Sequence, residues 1–424
     1  MKDFKECRLF SEYRLLYSAN DEFPHTISFL IKLKDKINIQ SLTFAINMVQ
    51  KRYPYLCVEL KKDENGYYFT KNNRDIILED ISKNITLNSP DSNYHLISFQ
   101  YSKEDNFIKL NLSHAMTDGI MSYAIIRTLL YYYITKAYNV ELSKENIRLI
   151  EDEIPEEEFD DPFLTFKKMI KPSFPKITTC LNVIKENKLE NQKKLVYHLS
   201  INEKELMDFV KSIKATPGTL MLLLLSKSIK KQNINNTQPI MMNLCLDLRK
   251  IFNKPLSHQF QVSGILFDFD DKLNNLNIEE QIKSIREKVK EALQEPKSLE
   301  TVSLEFNFLL MLANEKDENK IKQFQTMLIN QPREIMTGNI SYVGKANFGD
   351  AEKYITDFRT LAGSPIPVMI EIAAVNGKFY LDFIQDFEDD RYFKAFKEEL
   401  EKLKINYEFI DVKELVLPKM KQII

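Results

Sequence analysis

The 424-residue sequence predicts an α/β fold with mixed sheets, arranged in two halves of similar α/β content. Three observations support this prediction. Strand patterns and helix patterns alternate along the chain, as they do where helices cover sheets. Three pairs of strands flank short polar turns, which is typical of antiparallel hairpins. An acidic stretch with a proline, residues 151–161, lies between the halves, so we place the two domains at residues 1–165 and 166–424.

The first half is expected to contain two long helices and two hairpins. The helix over residues 39–52 has apolar residues at helical spacing and stops before Tyr53-Pro54, because a residue before proline disfavours the helix. Asn65-Gly66 gives the first hairpin its turn. In chain order, the expected elements are a short helix or extended segment (9–18), a strand (26–33), a helix (39–52), two hairpins (57–60 with 67–70, and 96–101 with 107–113) and a long helix (119–138). The acidic stretch that follows is expected to be a solvated surface connector.

The second half repeats this mixture of helices and strands. Residues 219–229 are apolar almost throughout, which predicts a buried helix, and residues 278–293 have the spacing of an amphipathic helix. Asn376-Gly377 gives a third hairpin its turn. The expected elements are strands (194–199 and 240–246), helices (203–213, 219–229, 278–293 and 391–403) and a hairpin (368–375 with 378–384).

Composition excludes several common kinds of site. The net charge of −2 gives no electrostatic reason to expect nucleic acid as a partner. The nine glycines, about a third of average usage, include no G-x-G-x-x-G turn, no P-loop and no G-x-S-x-G elbow. The five histidines form no H-E-x-x-H pair, and the four cysteines form no C-x-x-C pair. We therefore expect neither a bound cofactor nor a metal site.

The sequence also predicts a cytoplasmic protein. Scattered cysteines in a long chain are typical of buried thiols in a reducing compartment. The first residues lack the apolar core of a signal peptide, and the longest apolar run, residues 220–225, is too short to span a bilayer. We therefore expect no transmembrane segment.

The segment that indicates chemistry is His114-Ala-Met-Thr-Asp118-Gly119. His114 follows a strand and continues its interior face, so an imidazole is delivered to the inside of the fold. A neutral imidazole can take a proton from a nucleophile near pH 7. Asp118 is a preferred helix N-cap, and its carboxylate could hold the turn through backbone N–H groups or a distant arginine. Gly119 relieves crowding at the tight strand-to-helix turn.

This segment resembles the H-x-x-x-D-G signature of the chloramphenicol-acetyltransferase-like superfamily, which includes alcohol acetyltransferases and the condensation domains of nonribosomal peptide synthetases. Other segments resemble the family over most of the chain: Arg52-Tyr-Pro-Tyr-Leu56, Thr216–Ser226, Asp247-Leu-Arg249, Ser341-Tyr-Val-Gly344 and Asn347-Phe-Gly349-Asp350. Two departures stand out. Ser113 replaces the additional histidine of many condensation domains, and the last segment lacks the first aspartate and the tryptophan of the family's D-F-G-W-G loop. The first departure does not exclude activity, because the additional histidine is not the base in the family, and the second departure favours a stand-alone acyltransferase over a typical condensation domain.

The resemblance implies two similar domains in a V-shaped pseudo-dimer, with a tunnel between them. It implies that His114 is the general base and that Asp118, pointing away from substrate, pairs with an arginine, for which Arg249 is the best candidate. Ser341 is a candidate donor to the oxyanion. Gly344 and Gly349, in the 338–350 segment, are candidates for close approach of the backbone to the thioester arm.

Three functions remain open at this point. The first is transfer of an acyl group from acyl-CoA to a hydroxyl of a small-molecule acceptor. The second is a condensation-type reaction that forms an amide or ester, with the acyl group held on the phosphopantetheine of a carrier protein supplied in trans. The third is a catalytically silent binding module of the same fold.

Overall fold

The computed structural model describes residues 7–8, 13–64, 66–171, 178–421 and 423. The strands of this part are β1 (Cys7–Arg8), β2 (Thr26–Leu33), β3 (Val58–Asp63), β4 (Gly66–Lys71), β5 (Leu78–Asp80), β6 (Thr86–Leu87), β7 (Ile97–Ser102), β8 (Phe107–Ser113), β9 (Leu195–Asn202), β10 (Met241–Asp247), β11 (Val262–Asp268), β12 (Gly338–Lys345), β13 (Ile355–Ala362), β14 (Val368–Val375), β15 (Lys378–Gln385), β16 (Glu408–Glu414) and β17 (Lys419–Met420). The helices are α1 (Tyr13–Ser18), α2 (Ile39–Arg52), α3 (Gly119–Tyr138), α4 (Pro162–Thr165), α5 (Val183–Asn187), α6 (Glu203–Ser212), α7 (Pro217–Gln232), α8 (Arg249–Phe252), α9 (Asp271–Asn274), α10 (Ile278–Ala292), α11 (Lys297–Asn314), α12 (Glu318–Ile335) and α13 (Arg391–Lys402).

Two large sheets organise the described residues. One has five strands in the order β13-β2-β8-β7-β5, and the other has seven in the order β11-β10-β12-β14-β15-β9-β16. Both are mixed: β5 pairs in parallel with β7, and β12 pairs in parallel with β10 and β14, whereas the hairpin strands are antiparallel. The predicted class, α/β with mixed sheets, is therefore confirmed.

Most of the predicted elements are present. Strands β2, β8 and β14 and helices α2 and α3 have the predicted bounds, and the other predicted elements differ by a few residues at their ends. The turn residue Asn65 lies outside the described residues, as do residues 9–12 of the predicted first segment, whose described remainder contains helix α1. Helices α11 and α12 and strands β11, β13 and β16 are among the elements that were not predicted.

Each large sheet has its own hydrophobic core. In the first core, α2 and α3 pack with the five-stranded sheet, and in the second, α7 and α13 cover one face of the seven-stranded sheet. Side chains alternate along β14: Ile370 and Ile372 belong to the second core, whereas Met369 and Ala373 belong to the first. One face of the seven-stranded sheet therefore contacts the first half of the chain. We call it the interface face.

Strand β13 connects the two halves. It comes from the second half of the sequence, yet it pairs with β2 as the edge strand of the five-stranded sheet. The division at residue 165 stays a prediction. Residues 355–362 belong to the second half of the sequence but to the sheet of the first half, so a cut at a single residue does not separate the two sheets.

A buried ionic cluster joins β13 to the seven-stranded sheet. The ring of His198, on β9, bonds Asp382 through Nδ1 at 2.7 Å and Asp357, on β13, through Nε2 at 2.8 Å. Arg359, also on β13, forms a bidentate pair with Asp411. Burial alone would lower the pKa of His198, but the charge of Asp382 and the hydrogen bonds of both aspartates outweigh it and raise the pKa to about 9. The cluster therefore contains an imidazolium at neutral pH.

We expect His198 to stabilise the folded protein in a pH-dependent way. Its pKa rises from 6.5 to about 9 on folding, so its contribution is complete below pH 6.5 and is lost as the pH rises through 9. That shift corresponds to about 3 kcal/mol. Urea unfolding should show His198→Gln less stable than the native protein at pH 6.5, with a smaller difference at pH 10. A difference that is constant with pH would contradict this assignment.

The acidic stretch 151–161 is not simply a solvated connector. Glu151, Asp152 and Glu153 are exposed, as expected, but Glu158 is only 2% exposed. Its carboxylate accepts hydrogen bonds from Arg52 at 2.7 and 3.0 Å and from the Tyr55 hydroxyl at 2.6 Å. A buried carboxylate requires such partners, and counting charges along the sequence could not identify them.

Candidate active site

His114 lies directly after strand β8, at the end of the row of buried residues that the strand contributes to the first core. Its backbone N–H donates to the carbonyl of His25 at 2.7 Å. Its ring Nδ1 lies 2.9 Å from the carbonyl oxygen of Thr117. Because a carbonyl can only accept, Nδ1 carries the proton in the neutral ring and Nε2 carries the lone pair. The loop thus fixes both the orientation and the tautomer of a half-buried imidazole.

Asp118 is the N-cap of helix α3, as predicted. One carboxylate oxygen accepts from the backbone N–H of Met121 at 3.3 Å, and the main-chain carbonyl accepts from the Ser122 hydroxyl at 2.8 Å. The side chain is fully buried. Asp118 therefore points into the protein and holds the start of the 20-residue helix that follows His114.

Arg249 forms the expected ion pair with Asp118. Its Nη2 lies 2.8 and 3.0 Å from the two carboxylate oxygens of Asp118, and its Nη1 donates to Asp247 at 3.0 Å. Both partners in the Asp118 pair are buried. Arg249 begins helix α8 in the second half of the sequence, so the loop that carries His114 is tied to a distant segment of the chain.

A loop before β11 also contacts the His114 segment, and its residues were not predicted. Phe260 packs edge-on against the His114 ring at 4.8 Å between centroids, and the backbone N–H of Gln261 donates to Asp118 at 3.2 Å. The ring of His258 bonds the carbonyl of Met116 at 3.0 Å. Burial lowers the pKa of His258 to about 4, so this ring is neutral. Single polar or aromatic residues in a loop give no periodic signal, which is why the sequence did not reveal them.

Gly119 is required by close approach of the second half. A Cβ at this position would lie 2.5 Å from Cγ2 of Val343, on strand β12. Glycine therefore lets the first turn of α3 rest directly on the strand that carries Ser341. The predicted motif and the predicted 338–350 segment meet at this contact.

We expect Gly119→Ala to destabilise the protein by about 1–3 kcal/mol, because the added methyl group overpacks the contact with Val343. Thermal and urea unfolding would measure the loss. Val343→Ala in the same chain should recover most of it by removing the clashing methyl groups. A double variant no more stable than Gly119→Ala would show that crowding against Val343 is not the cause.

Ser341 lies on the interface face of the seven-stranded sheet, two residues before Val343 on β12. It is half-buried, and its partner in register on β14 is the buried Glu371. Burial raises the pKa of Glu371 to about 8, although a hydrogen bond with Ser341 opposes this. Ser341 thus faces the first half beside a carboxyl group that the sequence did not single out.

Gly344 and Gly349 have left-handed backbone conformations, with φ of +104° and +59°. Gly344 lies within an irregularity in the pairing of β12 with β14, between Tyr342 and Lys345, and Gly349 follows the buried Phe348. A Cβ on either residue would contact nothing within 4 Å, so backbone conformation rather than packing accounts for glycine here. Their role in binding substrate stays a prediction.

A cavity of about 870 Å³ lies away from these residues. It is lined by Thr216, Leu244 and Arg286, among others, and Leu244 packs with the second core, on the side of the sheet opposite Ser341. It is therefore not the candidate active site. Among the described residues, no group of His, Cys, Asp or Glu side chains has the arrangement of a metal site, and no helix is both long and apolar enough to cross a membrane.

Comparison with known proteins identifies the fold. No family model and no curated protein matches the sequence. Three solved structures match over almost their whole length: TRI101 of F. graminearum in complex with coenzyme A and deoxynivalenol (12% identity, 95% of this chain and 99% of that one, TM-score 0.62), the condensation domain of the monacolin K polyketide synthase MokA (13%, 94% and 96%, 0.61) and polyketide synthase associated protein 5 of Mycobacterium tuberculosis (14%, 94% and 98%, 0.58). The chain has the chloramphenicol-acetyltransferase-like fold.

This fold confirms the mixed α/β, two-lobed architecture that the family resemblance implied. At 9–14% identity among the matching structures it shows architecture only, and function must be argued from the site itself. In this chain, the His114 loop and strand β12 meet where the two halves are in contact.

Proposed function

We propose that the protein is an acyltransferase that moves an acyl group from a thioester, acyl-CoA, to a hydroxyl of a small-molecule acceptor. The observation that carries the proposal is the tautomer of His114: its Nδ1 is bonded to the Thr117 carbonyl, which places the lone pair of the neutral ring on Nε2. The buried pair of Asp118 and Arg249 holds that loop without itself reaching substrate.

The chemistry of such a site is direct transfer. Nε2 of His114 takes the proton of the acceptor hydroxyl while its oxygen attacks the thioester carbonyl, so a C–O bond forms and a tetrahedral oxyanion develops. The oxyanion collapses, the C–S bond breaks, and the imidazolium returns the proton to the leaving thiolate. Ser341 is the candidate donor to the oxyanion, because its hydroxyl lies on the interface face two residues from the contact between Val343 and Gly119.

Two further facts support a thioester donor. A likeness in fold links the chain to a structure that holds coenzyme A beside a small molecule and to a condensation domain. The chain is also nearly coextensive with these structures, and its described residues contain both the His114 loop and the β12 segment. We assign no bound cofactor, because in this reaction the thioester is a co-substrate.

A donor and acceptor screen tests the proposal. The purified protein would be incubated with acetyl-, butyryl- and octanoyl-CoA and a panel of alcohols and amines, with release of free thiol and intact mass of the products as readouts. Acceptor-dependent thiol release and an ester product are expected. Transfer only from acyl-phosphopantetheine on a carrier protein would overturn the CoA assignment and favour the condensation-type reaction. Ligand binding without transfer from either donor would overturn catalysis and favour a silent binding module.

A further inference from the structure

We propose that Glu371 is a positioning residue: in its protonated form it donates a hydrogen bond to Ser341 and so turns the Ser341 hydroxyl toward the acyl carbonyl. This inference rests on the proposed acyl transfer. It adds a residue to the proposed site and makes the rate of transfer depend on pH. It begins from an unexplained feature, a carboxyl group that is 7% exposed and lies on the interface face beside Ser341.

The surroundings of Glu371 favour the neutral acid. Its neighbour in register on β12 is Ser341, and its neighbour on β15 is the carboxylate Asp382. Tyr123 approaches from helix α3, and Thr360 of β13 lies next to Tyr123 and donates its backbone N–H to Asp382. Among the described residues, Glu371 forms no ion pair. A buried carboxyl that faces hydroxyl groups and another carboxylate, but no cation, holds its proton.

The cations of this region are already paired elsewhere. His198 lies between Asp382 and Asp357, and Arg359 pairs with Asp411 and Asp357. They compensate the aspartates of the ionic cluster and not Glu371. The row Ser341–Glu371–Asp382–His198 thus crosses four strands of the sheet in register, with a charged end at His198 and a neutral end at Ser341.

The proton on Glu371 determines what Ser341 can do. A hydroxyl group has one proton to donate and can also accept. When Glu371 is protonated, its O–H donates to Ser341 Oγ, and the serine proton is available for the developing oxyanion. When Glu371 is ionised, it can only accept, so the serine proton is drawn to the carboxylate and the oxyanion loses a donor. Loss of one such donor costs about 10²–10³ in rate in other acyl-transfer enzymes.

The pH profile of acyl transfer tests this assignment. With the Glu371 pKa at about 8, activity of the native protein with acetyl-CoA should fall about 10-fold between its plateau and pH 9. Glu371→Gln, whose amide always donates, should keep the plateau and remove that fall. Asp386→Asn is the matched control: burial also raises the pKa of Asp386, to about 6, but this carboxyl pairs with Lys194 and Arg333. It should leave the fall near pH 8 in place.

Coupling between the two residues distinguishes positioning from a structural role. In a Ser341→Ala background, Glu371→Gln should no longer change the pH profile. If Glu371→Gln does not fold, the carboxylic acid infrared band of the native protein still reports the proton, and Ser341→Ala should shift its titration upward because the hydrogen bond that lowers the pKa is lost. A Glu371→Gln profile like that of the native protein, or a band that Ser341→Ala does not move, would overturn the inference. Failure of the proposed function is distinct: the native protein would transfer no acyl group at any pH, or a folded His114→Gln would keep full activity.

Discussion

His114→Gln should abolish acyl transfer while the protein stays folded. A positioned general base contributes about 10²–10⁴ in rate, so kcat should fall by that factor. Glutamine can still donate its amide to the Thr117 carbonyl, which now bonds Nδ1 at 2.9 Å, but it has no titratable nitrogen to take a proton. The change therefore removes the base and keeps the loop. Thiol release from acyl-CoA with a saturating acceptor measures the loss, and the KM for acyl-CoA should change little.

A second histidine provides the matched control. His95 also bonds a main-chain carbonyl through its ring, that of Arg74 at 2.8 Å, but its partner belongs to a different loop. His95→Gln should retain activity at a temperature where it is folded, even though the side chain is buried and its loss lowers the unfolding temperature. Equal losses in the two variants would indicate that folding and not base catalysis explains His114→Gln. Full activity of a folded His114→Gln would contradict the proposed function.

Much of this site followed from one short motif. The strand before His114 and the helix after Asp118 were predictable, because the alternation of Ile108, Leu110 and Leu112 and the apolar run of α3 are local signals. The N-cap role of Asp118 followed from residue type alone. The choice of Arg249 as its partner came from family resemblance, and the structure contains that pair.

The contacts that surround the motif were not predictable in the same way. Phe260 and Gln261 reach the His114 loop across more than 140 positions of sequence, and no periodic pattern records such a contact. Glu371 lies in a run of apolar residues on β14. The alternation of side chains predicts which face of the sheet it is on, but not which groups lie opposite it. The place of β13 beside β2 could not be predicted either, because the order of strands in a sheet depends on the whole fold and not on the sequence of one strand.

Asp118→Ala should reduce activity through loss of structure and not through loss of proton transfer. The change leaves the buried Arg249 guanidinium without one of its two carboxylate partners, which costs about 3–5 kcal/mol, and it removes an N-cap worth about 1 kcal/mol. A total loss of about 4–6 kcal/mol in the free energy of unfolding is therefore expected from urea titration. Below its unfolding transition, the variant should keep the native pH dependence of kcat, because His114 is unchanged.

The exposed N-cap Asp317 separates the two contributions. Its carboxylate caps helix α12 by accepting from Asn319 at 2.9 Å, as Asp118 caps α3, but it takes no part in a buried ion pair. Asp317→Ala should therefore cost only about 1 kcal/mol. The double variant Asp118→Ala/Arg249→Met tests the ion pair. It should be more stable than Asp118→Ala alone, because it leaves no uncompensated guanidinium buried. An Asp118→Ala protein with native stability and full activity would rule out the positioning role, and one with native stability but an altered pH profile would move Asp118 into the proton transfer itself.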